Sequence, residues 1–318
     1  GPDAAEFLNR IYTFAYLKQP VGRARYVLMT DDSGVIVDDG VACRLHDEHF
    51  YVTATTSGVD GVYLTMLWYN AQWRLKVDIT HVSASYAGVN IAGPNSRGVL
   101  AKLCDDVDLS PQAFGYMGVR RGHVAGIPAL FLRVGFVGEL GYELHVPASQ
   151  GEALWDAMME AGKEAGIRPF GVEAQRLLRL EKGHIIISQD TDGLTTPYEA
   201  DMAWVIARKK PYFVGMRSVA IQDSGGLKRK LVGFELADSA ATQPKECHLV
   251  IRGGTITGRV TSIARSAALG KVIGLAYVAP DQAEPGSGFD IKIDGGEMVK
   301  AVVVKLPFYD ADGARQEM

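Results

Sequence analysis

Apolar and polar positions along this chain follow two rhythms, one of period two and one of three to four, and their order predicts an α+β protein. Residues 3–12 place Ala5, Leu8 and Ile11 on one helical face, and residues 58–73 do the same with Val62, Met66, Tyr69 and Trp73. Between them, residues 26–40 read as strand, turn and strand. Asp31-Asp32-Ser33-Gly34 supplies the turn chemistry and Val35-Ile36-Val37 resumes a β-branched run. A further strand is expected over 49–56. Residues 77–92 predict strand, turn and strand, ending in Gly93-Pro94-Asn95-Ser96 as a helix start with an early proline. A strand pair is expected over 114–134, with turns at Gly122 and Gly126-Ile127-Pro128. Ser149-Gln150-Gly151-Glu152 has the form of a capping box opening a helix through Trp155, Met158 and Met159 to Gly166. Residues 171–183 form another helix, stopped by Gly183.

From Lys228 onward the pattern becomes that of a small all-β module. Short runs at 231–234, 248–252, 255–261, 272–278 and 289–293 are separated by Gly, Pro and Asp turns. The whole predicts mixed or antiparallel sheet units with helices over 1–224, a small C-terminal β-barrel over 227–310, and a polar, frayed tail at 311–318. The boundary falls in Asp223-Ser224-Gly225-Gly226.

Composition narrows the function classes. At 318 residues and 47% hydrophobic content the chain fills two or three packed units. A net charge of -4, with no basic run longer than Lys228-Arg229-Lys230, argues against a nucleic-acid surface. The apolar runs fall short of a membrane span. Cys43, Cys104 and Cys247 are isolated, which points to a reducing, cytoplasmic setting, and the seven histidines show no pair at metal-ligand spacing, so no metal is expected. No G-x-G-x-x-G follows an opening strand, so the chain has no Rossmann site for FAD or NAD.

Three places carry candidate chemistry. Asp38 and Asp39 interrupt a strand, a position that disfavours aspartate; one should point inward and needs a partner. Taken alone, the pair reads as the cap of a bulge or hairpin end. Residues 134–143 hold three glycines within seven positions, implying close backbone approach, with Glu139 either solvated or a ligand. Glu181 shares the apolar face of its helix with Leu177 and Leu178 and lies at the unfavourable end of the macrodipole. Pairing with Arg179 or Arg176 is the plain expectation for it.

These motifs carry a resemblance. Tyr26-x-x-Met29, Ser33-Gly34 and Val37-Asp38-Asp39 resemble the Y-x-x-M-L-N-x-x-G-G-x-x-D-D segment of aminomethyltransferases, the T-proteins of the glycine cleavage system. Residues 134–143 resemble that family's T-G-Y-T-G-E-x-G-Y-E, and Arg179-Leu180-Glu181-Lys182-Gly183 its R-L-E-x-G. The resemblance implies a cloverleaf of sheet units and a tetrahydrofolate site. Asp38 would sit at the reactive folate nitrogens as the catalytic carboxylate, Glu181 would anchor the pterin, and Tyr26, Thr55, Phe136, Glu139 and Trp204 would line the pocket. Arg208 or Lys209 would meet the folate tail. Val21-Gly22-Arg23-Ala24-Arg25, Gly40, the threonines around Thr55 and Gln189-Asp190-Thr191-Asp192-Gly193 look closest to the C-terminal region of the α subunit of heterotetrameric sarcosine oxidase.

That branch implies capture of the methylene unit released when sarcosine or a related N-methyl amine is oxidised, giving 5,10-methylenetetrahydrofolate. FAD, FMN and NAD would then lie in partner chains, the flavin-bearing β subunit among them, or in an absent N-terminal half. Gly1-Pro2 reads as the native helix start of a longer chain more readily than as a protease scar, which leaves an opening strand of the folate site outside it. A free-standing aminomethyltransferase is the enzymatic alternative, against which Thr55, Phe136 and Gly40 count. A non-catalytic folate-binding protein, related to iron–sulfur assembly, would carry cysteine where His184 stands. A purely structural domain is the third alternative.

Overall fold

The computed structural model describes residues 1–236 and 243–318. The first unit is a three-stranded antiparallel sheet of β1 (Arg23–Thr30), β2 (Ile36–His46) and β3 (His49–Val52), with helices α1 (Ala4–Ile11) and α2 (Val59–Trp73). Phe7, Leu8, Ile11, Val27, Met29, Val62 and Met66 close its core. Strand β3 stops at Val52, so Thr53 to Thr55 leave the ladder and their polar groups become available to β2.

The second unit is a four-stranded sheet in the order β4-β7-β6-β5, from β4 (Tyr86–Ala92), β5 (Val119–Val124), β6 (Ile127–Leu132) and β7 (Gly141–Pro147). Helices α3 (Ser96–Ala101) and α4 (Gly151–Ala161) cover it. Of the strand, turn and strand expected over 77–92, only the second strand, β4, forms. The alternation of Val77 and Ile79 is used instead to pack against the core of the first unit. Nor is Gly122 a turn: it sits inside β5, where a Cβ would lie 2.3 Å from a methyl of Val107. The hairpin turns at Ala125-Gly126, both at positive φ (49° and 76°), the geometry a two-residue loop demands. At α4 no side-chain cap forms; a 3-10 turn over Ala148–Gln150 leads in, and Trp155 is exposed.

Helix α5 (Val172–Glu181) crosses to the barrel and ends as its glycine requires. Gly183 has φ 74°, and His184 N–H reaches back to Arg179 O at 2.9 Å. Helix α6 (Met216–Gly225) precedes a closed barrel of β8 (Lys230–Leu236), β9 (Leu249–Arg252), β10 (Thr255–Ser266), β11 (Lys271–Val278), β12 (Gly288–Lys292) and β13 (Met298–Val304). Closure depends on β13, absent from the sequence expectation, which pairs with both β12 and β8. No described helix is long and apolar enough to cross a membrane.

The tail is docked, not frayed. Helix α7 (Ala314–Glu317) presents Gln316, only 6% exposed, whose Nε2 donates to Tyr116 Oη and Gly135 O at 2.9 Å each. The fully buried Arg133 donates to Gln316 O at 2.7 Å. A polar sequence therefore became ordered by satisfying buried polar groups of the second unit.

Candidate functional site

The register of β1 on β2 sets Met29 opposite Asp38 and Leu28 opposite Asp39, so the two carboxylates face opposite sides of the sheet. Asp38 is 2% exposed and is met from its own chain: Asp39 N–H (2.6 Å), Thr55 N–H (3.0 Å) and Thr55 Oγ1–H (2.9 Å) all donate to it. Gly58 makes room for this arrangement, since a Cβ there would stand 1.7 Å from Asp38 Oδ2. The Asp38 charge adds to burial in raising the pKa of Tyr12. Thr55 thus serves as the clamp on Asp38.

Asp39 faces the other way. Tyr26 Oη donates to its Oδ2 at 2.5 Å, and the Tyr26 ring lies 5.3 Å from that of Trp204, tilted by 39°. Burial chiefly, with the Asp38 charge beside it, pushes the Asp39 carboxyl up to about 6 against the opposing Tyr26 hydrogen bond. Tyr16 Oη in turn donates to Tyr26 O at 2.8 Å.

Glu181 closes α5, 5% exposed, and accepts a 2.6 Å hydrogen bond from Ser266 Oγ of the barrel. The expected arginine pairing does not occur. Arg179 turns to Asp190 (2.5 Å) and Ser262 Oγ, and Arg176 to Glu246 (2.6 Å). Among the described residues no cation is paired with Glu181. Its carboxylate therefore keeps acceptor capacity beyond the Ser266 bond.

In the glycine-rich loop, Phe136 stacks on His184 at 5.7 Å and 23°, and its carbonyl is 2.8 Å from His184 Nδ1. A carbonyl only accepts, so Nδ1 carries the proton; burial lowers the pKa of this imidazole. Glu139 is paired with Arg315 at 3.0 Å. Arg208 is likewise engaged, with Asp223 at 3.3 Å and over the Tyr198 ring.

Two apolar clusters join these pieces. One packs Tyr26, Leu28, Ile36, Met202 and Val205 with Ile185, just beyond Glu181. The other sets Val41 and Cys43 of β2 against Val134, where the glycine-rich loop begins. Sequence reasoning took Asp39 only as one half of a carboxylate pair and gave no site role to His184, Ser266 or Lys210. The last holds its Nζ between Tyr12 O and Phe14 O at 2.6 Å each, and burial pushes its pKa down to about 7. A cavity of about 490 Å³ lies elsewhere, among β4, α3, α4 and the start of α5, and contains none of the predicted site residues.

Two sheet units with a buried, clamped carboxylate, followed by a closed barrel that holds a second carboxylate at a helix end, define an aminomethyltransferase-type fold. Residues 1–210 match the GCVT N-terminal domain, and residues 229–310 match the glycine cleavage T-protein C-terminal barrel domain. The chain belongs to the glycine cleavage T-protein family. It is 40% identical to sarcosine oxidase subunit alpha of Corynebacterium sp. (strain P-1), over 100% of this chain and 34% of that protein. It is 33% identical to an aminomethyltransferase of Halothermothrix orenii, over 97% of this chain and 84% of that protein. The chain thus spans about a third of the sarcosine oxidase relative's length. The crystal structure of glycine cleavage system aminomethyltransferase T from Bartonella henselae has the same fold, with a TM-score of 0.85 at 21% identity, covering 98% of this chain and 82% of that one.

Proposed function

We propose that this chain binds tetrahydrofolate and passes to it the methylene unit of an oxidised N-methyl amine, as the folate-binding part of a sarcosine oxidase-type assembly. The observation that carries the reading is Glu181: a buried carboxylate with one hydroxyl donor and no cation among the described residues. The aminopyrimidinone edge of a folate offers adjacent N–H donors, which a carboxylate accepts in bidentate fashion, so the residues present fit that group. Tetrahydrofolate supplies the nitrogens that take up the one-carbon unit. Asp38, held by Thr55, contributes a fixed negative charge that favours the cationic iminium form of the donor amine, and burial keeps that charge effective. Tyr26 with Trp204 and Phe136 with His184 would flank the bound folate, and Arg208, paired with Asp223, would meet the folate tail. The site belongs to residues 1–224, with the barrel at 227–310 buttressing it through Ser266. Oxidation of the amine is assigned to a flavin-bearing partner such as a β subunit.

A second reading, a free-standing aminomethyltransferase, is favoured by the 84% of the Halothermothrix orenii enzyme that the chain matches. The two separate by donor. Turnover of sarcosine only with a flavin-bearing partner supports the first, and methylene transfer from an aminomethylated lipoyl carrier by the chain alone supports the second.

A further inference from the structure

The mechanism above uses Asp38 and leaves its neighbour unassigned. Asp39 shares a sheet face with Leu28 and Tyr26 of β1, opposite to the face of Asp38. It accepts the Tyr26 phenol at 2.5 Å, and among the described residues no cation is paired with it. The backbone of Tyr26 is held too, its carbonyl receiving the Tyr16 hydroxyl at 2.8 Å. Against the Tyr26 ring lies Trp204, itself 64% exposed and carried on the 3-10 turn Ala203–Val205. A tryptophan so exposed has little packing to hold it apart from that ring. Its position therefore depends on Tyr26, whose ring packs in the apolar cluster and whose phenol is aimed by Asp39.

We propose that Asp39 is a positioning residue, whose hydrogen bond to Tyr26 fixes the Tyr26–Trp204 pair as the aromatic wall of the one-carbon chamber. The inference rests on the folate reading for its functional consequence and on geometry alone for the wall itself. A carboxylate suits the task, because a charge-assisted acceptor holds a phenol more tightly than a neutral one. The titratable and charged groups around the pair are Asp38 on the same strand, Tyr26 on β1, Tyr16 behind Tyr26, and Arg25, which faces Tyr16.

The test compares Asp39→Ala, Asp39→Asn, Tyr26→Phe and the Asp39→Ala/Tyr26→Phe pair in the 318-residue chain. Trp204 emission is isolated by subtracting the spectrum of Trp204→Phe in each background, and tetrahydrofolate affinity is measured by calorimetry. Asp39→Ala and Tyr26→Phe should shift Trp204 emission alike and weaken tetrahydrofolate binding about tenfold each, the double variant losing no more than either single. Asp39→Asn, which keeps an acceptor, should retain the wild-type emission and most of the affinity. Unchanged Trp204 emission in Asp39→Ala, or losses that add in the double variant, would overturn the proposal. If the wild-type chain binds no tetrahydrofolate, the folate reading fails, while the emission of the ligand-free variants still decides whether Asp39 sets the wall.

Discussion

Ser266 Oγ, at the end of barrel strand β10, donates to Glu181 Oε1 at 2.6 Å, so the carboxylate that closes helix α5 is oriented by the barrel. Removing this hydroxyl would leave Glu181 buried with its donor lost. Ser266→Ala should cost about 1–3 kcal/mol of stability and weaken tetrahydrofolate binding, checked by urea unfolding and calorimetry on the same preparation.

Gly58 stands where any side chain would collide with Asp38, the Cβ falling 1.7 Å from Oδ2. Gly58→Ala must therefore push Asp38 off Thr55 or shift the start of α2. The expected outcome is a loss of about 1–3 kcal/mol in stability together with a fall in one-carbon transfer, read by thermal unfolding and turnover.

Arg179 and Asp190 form a buried pair at 2.5 Å, and Asp190 also accepts the hydroxyls of Thr261 and Ser262 at 2.6 Å each. Breaking one side strands the other charge. Asp190→Asn should destabilise the chain by about 3–5 kcal/mol, measured by chemical denaturation, whereas an exposed pair such as Lys163 with Glu160 should be nearly neutral on removal.

The folded protein holds the Asp39 carboxyl up to about 6, above its ordinary value of 3.8, chiefly through burial. Between those values the folded state binds more protons than the unfolded one, so stability falls as pH rises through the window and is level above it. Asp39→Asn should remove this slope, worth about 2–3 kcal/mol, in unfolding curves collected from pH 4 to about pH 7.

The helical spacing of Val62 and Met66, the alternation in β1 and β2, and the glycine stop at Gly183 each reached the structure because local pattern and tertiary packing agree there. They diverge where one residue has two uses. The alternation of Val77 and Ile79 has the look of a strand, but both pack against another unit's core without pairing. Gly122 has the look of a turn, yet Val107 requires its small size within a strand. The same holds at the site. That one of Asp38 and Asp39 needed a partner was legible in their sequence position; the inward one is Asp38, and Thr55 is its partner. The partner of Glu181 was not legible, because Ser266 lies 85 residues away on the barrel and no local spacing connects them. Arg315 pairs with Glu139 from 176 residues away, so a tail of polar residues gave no sign of docking.

The central claim is that Glu181 anchors a folate. Calorimetric titration of the chain with tetrahydrofolate under reducing conditions, beside Glu181→Ala shown to be folded by circular dichroism, tests it most directly. The account predicts saturable binding by the wild-type chain that Glu181→Ala abolishes. Equal binding by both, or none by a well-folded wild-type chain, would contradict it.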